Sequence, residues 1–179
     1  MVRKILLTGQ PGVGKTTVLI ETIKELENRS LKVGGMVTRE VRDGSVRVGF
    51  EISDLTSRQK GWLAHIEQPQ GPRIGKYRVN LKDLVEIGVN AIYRAAADPA
   101  ISIIAIDEIG PMELCSEDFE TAVEKVVEAE KRLIGTIHYK ARSALIERIR
   151  SRSDVKILEI TYENRSYVKR IVLDELLQA

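Results

Sequence analysis

Apolar positions along the chain follow two spacings, and the switches between them outline the fold. Arg3 to Thr8 is a short apolar run that ends at Gly9 and reads as a buried strand. From Lys15 to Asn28, Leu19, Ile23 and Leu26 recur at helical spacing with Ile20 beside them. Val33 to Val41 and Val46 to Ile52 read as two strands, and Asp43-Gly44 between them is a hairpin turn signal. Residues 54–78 lose the rhythm, with Gly61, Pro69, Gly71, Pro72 and Gly75, and read as an irregular, mobile segment and a candidate lid. Asn80 is placed to cap a helix with the apolar stripe Leu84, Val85, Val89 and Ile92, stopped by Asp98-Pro99. Ile101 to Ile106 is continuously apolar, as in a strand buried on both faces. Ser116 is placed to cap a helix bearing Phe119, Val123, Val126 and Val127, and Glu117 and Asp118 suit its positive end. Leu133 to His138 and Val155 to Thr161 read as strands, and Arg142 to Arg150 as a helix. A last helix follows Asn164, with Val168, Ile171, Val172 and Leu176.

Strands alternating with helices predict an α/β fold in three layers, a mostly parallel central sheet with helices on both faces. The 33–53 hairpin breaks the alternation and is expected to extend the sheet in antiparallel sense. One domain, 1–179, accounts for the whole length, and 179 residues suffice to bury a core. The net charge of +2 is too balanced to argue for a nucleic-acid partner. Cys115 is the only cysteine, so no internal disulfide is expected. The apolar core of Met1 to Thr8 is too short for a secretory signal, and no run approaches a membrane span of about 20 residues. A cytoplasmic protein with no membrane association is the expectation. The sequence points to no protein partner.

Gly9-Gln10-Pro11-Gly12-Val13-Gly14-Lys15-Thr16 carries the spacing G-x-x-x-x-G-K-[ST]. The chemistry requires those types in that order. Glycines let the backbone approach phosphate oxygens closely and tolerate positive φ. Successive amide N–H groups and the start of the helix then face the negative charge. Lys15 is expected to reach the β- and γ-phosphates, and the Thr16 hydroxyl to ligate magnesium. Thr17 either contacts the α-phosphate or extends the helix. Such a pattern arises by chance in roughly one random chain of this length per hundred. Here an apolar strand precedes it and an amphipathic helix follows, which is the context it needs.

The run Ile103-Ile104-Ala105-Ile106 ends in two carboxylates, Asp107 and Glu108. Ligands collect beyond the carboxyl ends of parallel strands, where the phosphate loop also lies. Asp107 is therefore expected to hold magnesium, directly or through a water, and Glu108 is a candidate to orient or deprotonate an attacking water. The plain alternative is a solvated strand end. If Leu133 to His138 lies between the two strands just named, Thr136 and His138 face the γ-phosphate. Arg39, Arg42, Arg47, Arg58, Arg73 and Lys76 are candidate cations for the transition state. The turn Tyr162 to Arg165 flanks the base or ribose, or merely caps the last helix through Asn164. Cys115, Trp62 and Met112 are expected to pack.

With these residues in hand, the chain resembles the small nucleoside-triphosphatases first described from thermophiles, a family that includes the cancer-related nucleoside-triphosphatase. The resemblance runs over nearly the whole chain. It is carried by the phosphate loop with Thr16-Thr17, by Gly34-Gly35-Met36-Val37-Thr38-Arg39-Glu40-Val41-Arg42, and by Arg47-Val48-Gly49-Phe50-Glu51-Ile52. Gly75-Lys76-Tyr77-Arg78-Val79 and Ile106-Asp107-Glu108-Ile109-Gly110-Pro111-Met112-Glu113-Leu114 complete it. The phosphate loop is common to many families; the Thr38–Arg42 segment and the Asp107–Glu113 block are far more specific. The resemblance implies a phosphate-loop NTPase fold and slow, magnesium-dependent hydrolysis of ATP, GTP, CTP and UTP to the diphosphate and phosphate. It also implies a second nucleotide-binding stretch, Ile104, Ala105, Ile106, Asp107, Glu108, Ile109, Gly110 and Pro111, reaching Met112. Pro111 departs from the lysine or similar residue expected there in many relatives, a change beside the acidic pair that leaves both carboxylates in place. Two other readings use the same machinery: phosphoryl transfer to a small acceptor, as in a kinase, and a binding module switched by nucleotide hydrolysis.

Overall fold

The structure, a computed structural model, describes residues 3–178; Met1, Val2 and Ala179, which bound the expected single domain, lie outside the described residues. The chain runs β1 (Lys4–Thr8), α1 (Lys15–Asn28), β2 (Val33–Asp43), β3 (Val46–Asp54), β4 (Lys60–His65), β5 (Arg73–Ile74) and β6 (Tyr77–Val79). It continues through α2 (Leu81–Asp83), a π-helical stretch (Leu84–Val89), α3 (Asn90–Ala97), β7 (Ile103–Ile109) and a 3-10 turn (Glu113–Cys115). It ends with α4 (Glu117–Glu128), β8 (Arg132–Ile137), α5 (Ala144–Ser151), β9 (Val155–Glu159) and α6 (Arg165–Gln178).

Among the described residues, nine strands join one sheet in the order β5-β6-β4-β3-β2-β7-β8-β1-β9. The half from β2 to β9 is parallel, and the half from β2 to β5 is antiparallel. The alternation along β7 shows why its whole sequence is apolar. Ile104 and Ile106 enter a core under α3, α4 and α5, while Ile103 and Ala105 enter a second core under α1 and α6. A strand covered on both faces has no polar side to present. The mixed α/β architecture is the one the alternating pattern predicts.

The expected helix starts carry their caps. The Asp83 amide donates to Asn80 Oδ1 at 3.1 Å, and the Phe119 amide to Ser116 Oγ at 3.2 Å. Asn164 behaves differently: its side chain accepts from the Thr161 amide at 2.8 Å and donates to the Glu159 carbonyl at 2.8 Å, so it ties the turn to β9.

The segment 54–78, expected to be irregular, instead contains β4, β5 and β6. Gly61 lies within the six-residue β4, the other glycines and the prolines lie between strands, and β5 and β6, of two and three residues, are too short to establish an alternating pattern in sequence. Among the described residues no helix is long and apolar enough to cross a membrane.

One feature of β2 shapes the site. Its first half pairs with β7 as far as Met36 opposite Ile106. Beyond that register β2 continues with β3 alone, from Val37 opposite Ser53 to Asp43 opposite Val46. The hairpin thus overhangs the carboxyl end of the parallel half.

Candidate active site

The loop between β1 and α1 is held tightly against the end of β9. Gly9 has φ +147°, and a Cβ there would stand 2.5 Å from the Ile160 carbonyl oxygen, so only glycine fits. The Ile160 amide donates to the Thr8 carbonyl at 2.7 Å. Val13 anchors the crest of the loop by burying its side chain in the core beside Ile160 and Val168. Gly14, with φ +107° in the left-handed region, turns the chain into α1. Lys15, Thr16 and Thr17 form the first turn of that helix. The Lys15 ammonium rests on the loop itself, donating to the carbonyls of Gly9 at 3.0 Å and Gln10 at 3.3 Å.

β8 lies between β1 and β7, so the loop and the acidic pair are one strand apart. Asp107 is 1% exposed, and three hydroxyls from three different elements converge on its carboxylate. Thr136 donates to Oδ1 at 2.6 Å, Thr16 to Oδ2 at 3.1 Å and Thr38 to Oδ2 at 3.3 Å. Burial pushes the Asp107 carboxyl above its ordinary pKa, against the three hydroxyls, which favour the ionised form. Glu108 beside it is pushed up to about 7 by burial and by the Asp107 charge, with Lys15 pulling the other way. Glu113, 4% exposed, is raised well above the usual carboxyl range by burial, with the charge on Glu108 adding to it.

These groups share a cleft of about 580 Å³ with Pro11, Gly12, Gly14, Lys15, Thr16 and Thr17 on one side. Thr38, Arg39, Glu40 and Arg47 of the overhanging hairpin face them, and Phe50, Leu63, Ile74 and Met112 form an apolar end. A cleft of that size suits a small-molecule ligand. Thr16 and Asp107 supply a hydroxyl and a carboxylate, the hard oxygen donors a magnesium ion takes, from adjoining elements. The donor set therefore fits the ion.

Of the second expected stretch, Asp107, Glu108 and Pro111 line the cleft, whereas Ile104, Ala105, Ile106 and Ile109 are buried in the sheet and Gly110 is buried at its end. Gln10 and Gly9 contribute their carbonyls to Lys15. Thr136 lies on the strand between the loop and β7, but its hydroxyl is spent on Asp107. His138 lines the cleft, and its Nδ1 accepts the amides of Lys140 at 3.2 Å and Ala141 at 3.0 Å. Those bonds place its proton on Nε2. Burial, with Lys15 nearby, keeps the ring's pKa below the ordinary value. Of the six cationic candidates only Arg39 and Arg47 line the cleft, and Arg47 is tied to Glu40 at 3.0 Å and to the Tyr77 hydroxyl at 2.7 Å. Cys115 is turned to the Pro111 carbonyl, with Sγ–H donating at 3.2 Å. Thr38 and Glu113 emerge as cleft residues to which the sequence assigns no role, although both lie in the segments that carry the family resemblance. Thr38 is found only once β2 is known to pair with β7, and Glu113 only once the turn after β7 folds inward.

A parallel half-sheet with a glycine loop after β1, facing an acidic pair near the end of β7 across the intervening β8, defines a phosphate-loop nucleotide-binding protein. The comparisons with known proteins narrow this. Residues 4–173 match the model of a family described as NTPase. Nucleoside-triphosphatase THEP1 of Thermofilum pendens is 45% identical over 164 residues, covering 91% of this chain and 89% of that protein. The protein of the same name from Thermotoga maritima is 43% identical over 173 residues, covering 97% and 95%. Among solved structures, THEP1 from the hyperthermophile Aquifex aeolicus superposes with a TM-score of 0.84 at 31% identity, covering 97% and 98%. A human cancer-related nucleoside triphosphatase does so with a TM-score of 0.84 at 33% identity, covering 99% of each chain. The chain belongs to the NTPase family, and with it to the nucleoside-triphosphatase enzymes.

Proposed function

We propose that this chain is a cytoplasmic enzyme hydrolysing ATP, GTP, CTP and UTP, as magnesium complexes, to the nucleoside diphosphate and phosphate. The observation that carries the reading is the convergence of Lys15, Thr16, Asp107 and Glu108 on one cleft. In it, the amides of Gly9 to Thr16 cradle the polyphosphate and the Lys15 ammonium leaves the loop carbonyls for the β- and γ-oxygens. Thr16 and Asp107 would hold the magnesium, which when bound supplies positive charge to the β- and γ-oxygens. Glu108, with a pKa of about 7, is poised near neutrality to take a proton from a water aligned on the γ-phosphorus. The oxygen of that water bonds to phosphorus as the bond to the diphosphate breaks. His138 offers Nε2–H, and not a second acceptor, to the γ-oxygens.

A second reading, transfer to a small acceptor, is favoured by the apolar end of the cleft at Phe50, Leu63, Ile74 and Met112. One experiment separates the two. Purified protein is given γ-labelled ATP and magnesium, with and without cell extract, and the label is followed. Hydrolysis requires all label to appear as inorganic phosphate in both. Label reaching an extract metabolite faster than water would instead establish transfer. Glu108→Gln should retain ATP binding and slow turnover about 100- to 10,000-fold; unchanged turnover would remove Glu108 from the mechanism.

A further inference from the structure

The groups assigned to the γ-phosphate all lie on one flank of the loop. Asp107 and Glu108 lie near the end of β7, His138 follows β8, and both strands stand on the same side of β1. A triphosphate with its γ-end there runs along the loop away from β8, and its nucleoside emerges on the opposite flank, where β9 ends. The turn after β9 is where Tyr162 stands, 65% exposed.

That turn is built rigidly against the loop. Ile160 is bonded to Thr8 at 2.7 Å and shares a core with Val13 and Val168. The Thr161 amide donates to Asn164 Oδ1 at 2.8 Å, the Asn164 amide to Thr161 Oγ1 at 3.2 Å, and Asn164 Nδ2 to the Glu159 carbonyl at 2.8 Å. The next residue, Arg165, bridges the two structures. Its guanidinium lies 5.4 Å from the centre of the Tyr162 ring, and its Nη1 lies 3.8 Å from where a Cβ of Gly14 would stand. An exposed ring, with a cation against it and beside the exit of a phosphate loop, has the form of a stacking surface.

We propose that Tyr162, held beside the loop by Arg165, is the platform on which the nucleobase of the bound nucleotide stacks. Every base has a π-face, so stacking accepts purines and pyrimidines alike, whereas hydrogen bonds to base edges would select one. An exposed platform reads the face and leaves the edges to water. This gives breadth of base use a structural source. The inference rests on Gly9 to Thr16 holding the phosphates.

The test is calorimetric titration of the full-length protein with the magnesium complexes of ADP, GDP, CDP and UDP, and of inorganic tripolyphosphate, which has phosphates but no base. Tyr162→Ala should weaken all four nucleotides roughly 5- to 100-fold and leave tripolyphosphate within about twofold, while Tyr162→Phe binds all five as the wild type does. Equal weakening of tripolyphosphate and nucleotides would overturn the proposal, because the turn would then be supporting the loop. Unchanged nucleotide binding would overturn it, as would loss confined to a single base. Lys15→Ala keeps the two claims apart: if it binds tripolyphosphate as tightly as the wild type, the phosphate-loop reading itself has failed.

Discussion

The protein buries charge at both ends of the parallel sheet, and in opposite ways. At the end where β1 begins, Lys4 is 2% exposed, yet its ammonium donates to Asp154 at 2.8 Å. Arg152 grips the same carboxylate through Nε at 2.8 Å and Nη2 at 3.1 Å. The Arg152 hydrogen bonds, with Lys4 adding to them, hold Asp154 far below the usual carboxylate range. At the end where β1 finishes, Asp107, Glu108 and Glu113 are all raised by burial. Asp107 there has neutral hydroxyls for partners, and the one nearby ammonium, Lys15, is bonded to carbonyls. A matched ion pair is at rest. A set of carboxyls held above their ordinary pKa comes to rest either by taking up protons or by taking up added positive charge, and such a cluster in a cleft is the signature of a site built for a ligand.

The sharpest way to break this contrast is to remove the site's cation. Lys15→Ala should lower turnover about 100-fold or more, since a preorganised donor to the transferring group is lost. Melting temperature should move little, because the ammonium gives up only two hydrogen bonds to loop carbonyls, one part-buried at Gly9 and one exposed at Gln10. Steady-state hydrolysis and a thermal melt check both halves.

The corresponding cut at the other end should do the reverse. Asp154→Ala leaves a buried ammonium without its carboxylate, at a cost of about 2–3 kcal/mol, near the lower end for a broken buried pair because Asp154 is about one-third exposed. For a domain of this size that is a fall of roughly 4–12 °C in melting temperature. Turnover per folded molecule at moderate temperature should stay as it was. Equal loss of turnover in both variants would mean that the two ends are coupled and the contrast is false.

The sequence made one end far more legible than the other. Gly9 to Thr16 announces itself because backbone approach to phosphate demands glycine at fixed spacing, a constraint local in sequence. Asp107 and Glu108 are visible because the apolar run Ile103 to Ile106 gives way abruptly to two carboxylates, although β7 itself continues to Ile109. The hydroxyls of Thr38 and Thr136 are not, since each reaches Asp107 only through the sheet order β2-β7-β8. Lys4 and Asp154 were equally hidden: 150 residues apart, they meet because β1 and β9 pair in parallel. The same limit explains 54–78. Two- and three-residue strands such as β5 and β6 leave no alternation to detect, and only pairing with β4 makes them strands.

A gentler change tests how firmly the site end is held. Thr136→Val keeps the shape and removes the 2.6 Å donor from Asp107. A buried acceptor losing one of three partners costs about 1–2 kcal/mol, so turnover at limiting magnesium should fall roughly 5- to 30-fold. Thr136→Ser should restore most of it. Raising magnesium should recover the Val variant if the hydroxyl's task is to orient Asp107.

The smallest effect is also the most direct reading of the contrast, because the two ends carry opposite pH signs. Asp154 has its folded pKa depressed, so its contribution to stability is complete above the unfolded value of 3.8 and is lost as the pH falls through and below it. Glu113 has its folded pKa raised above the unfolded 4.5, so it opposes folding once the pH exceeds that value and is neutral in its effect below it. Melting curves from pH 3 to 7 should therefore separate two variants. Asp154→Asn should lie below the wild type from pH 7 down to about pH 4, with the gap only beginning to narrow as the pH falls below the unfolded value of 3.8. Glu113→Gln, which keeps the shape of the protonated carboxyl, should lie at or above the wild type at pH 7 and converge on it near pH 4. Parallel shifts at every pH would mean that packing and not charge sets both differences, and the two ends of the sheet would then be alike.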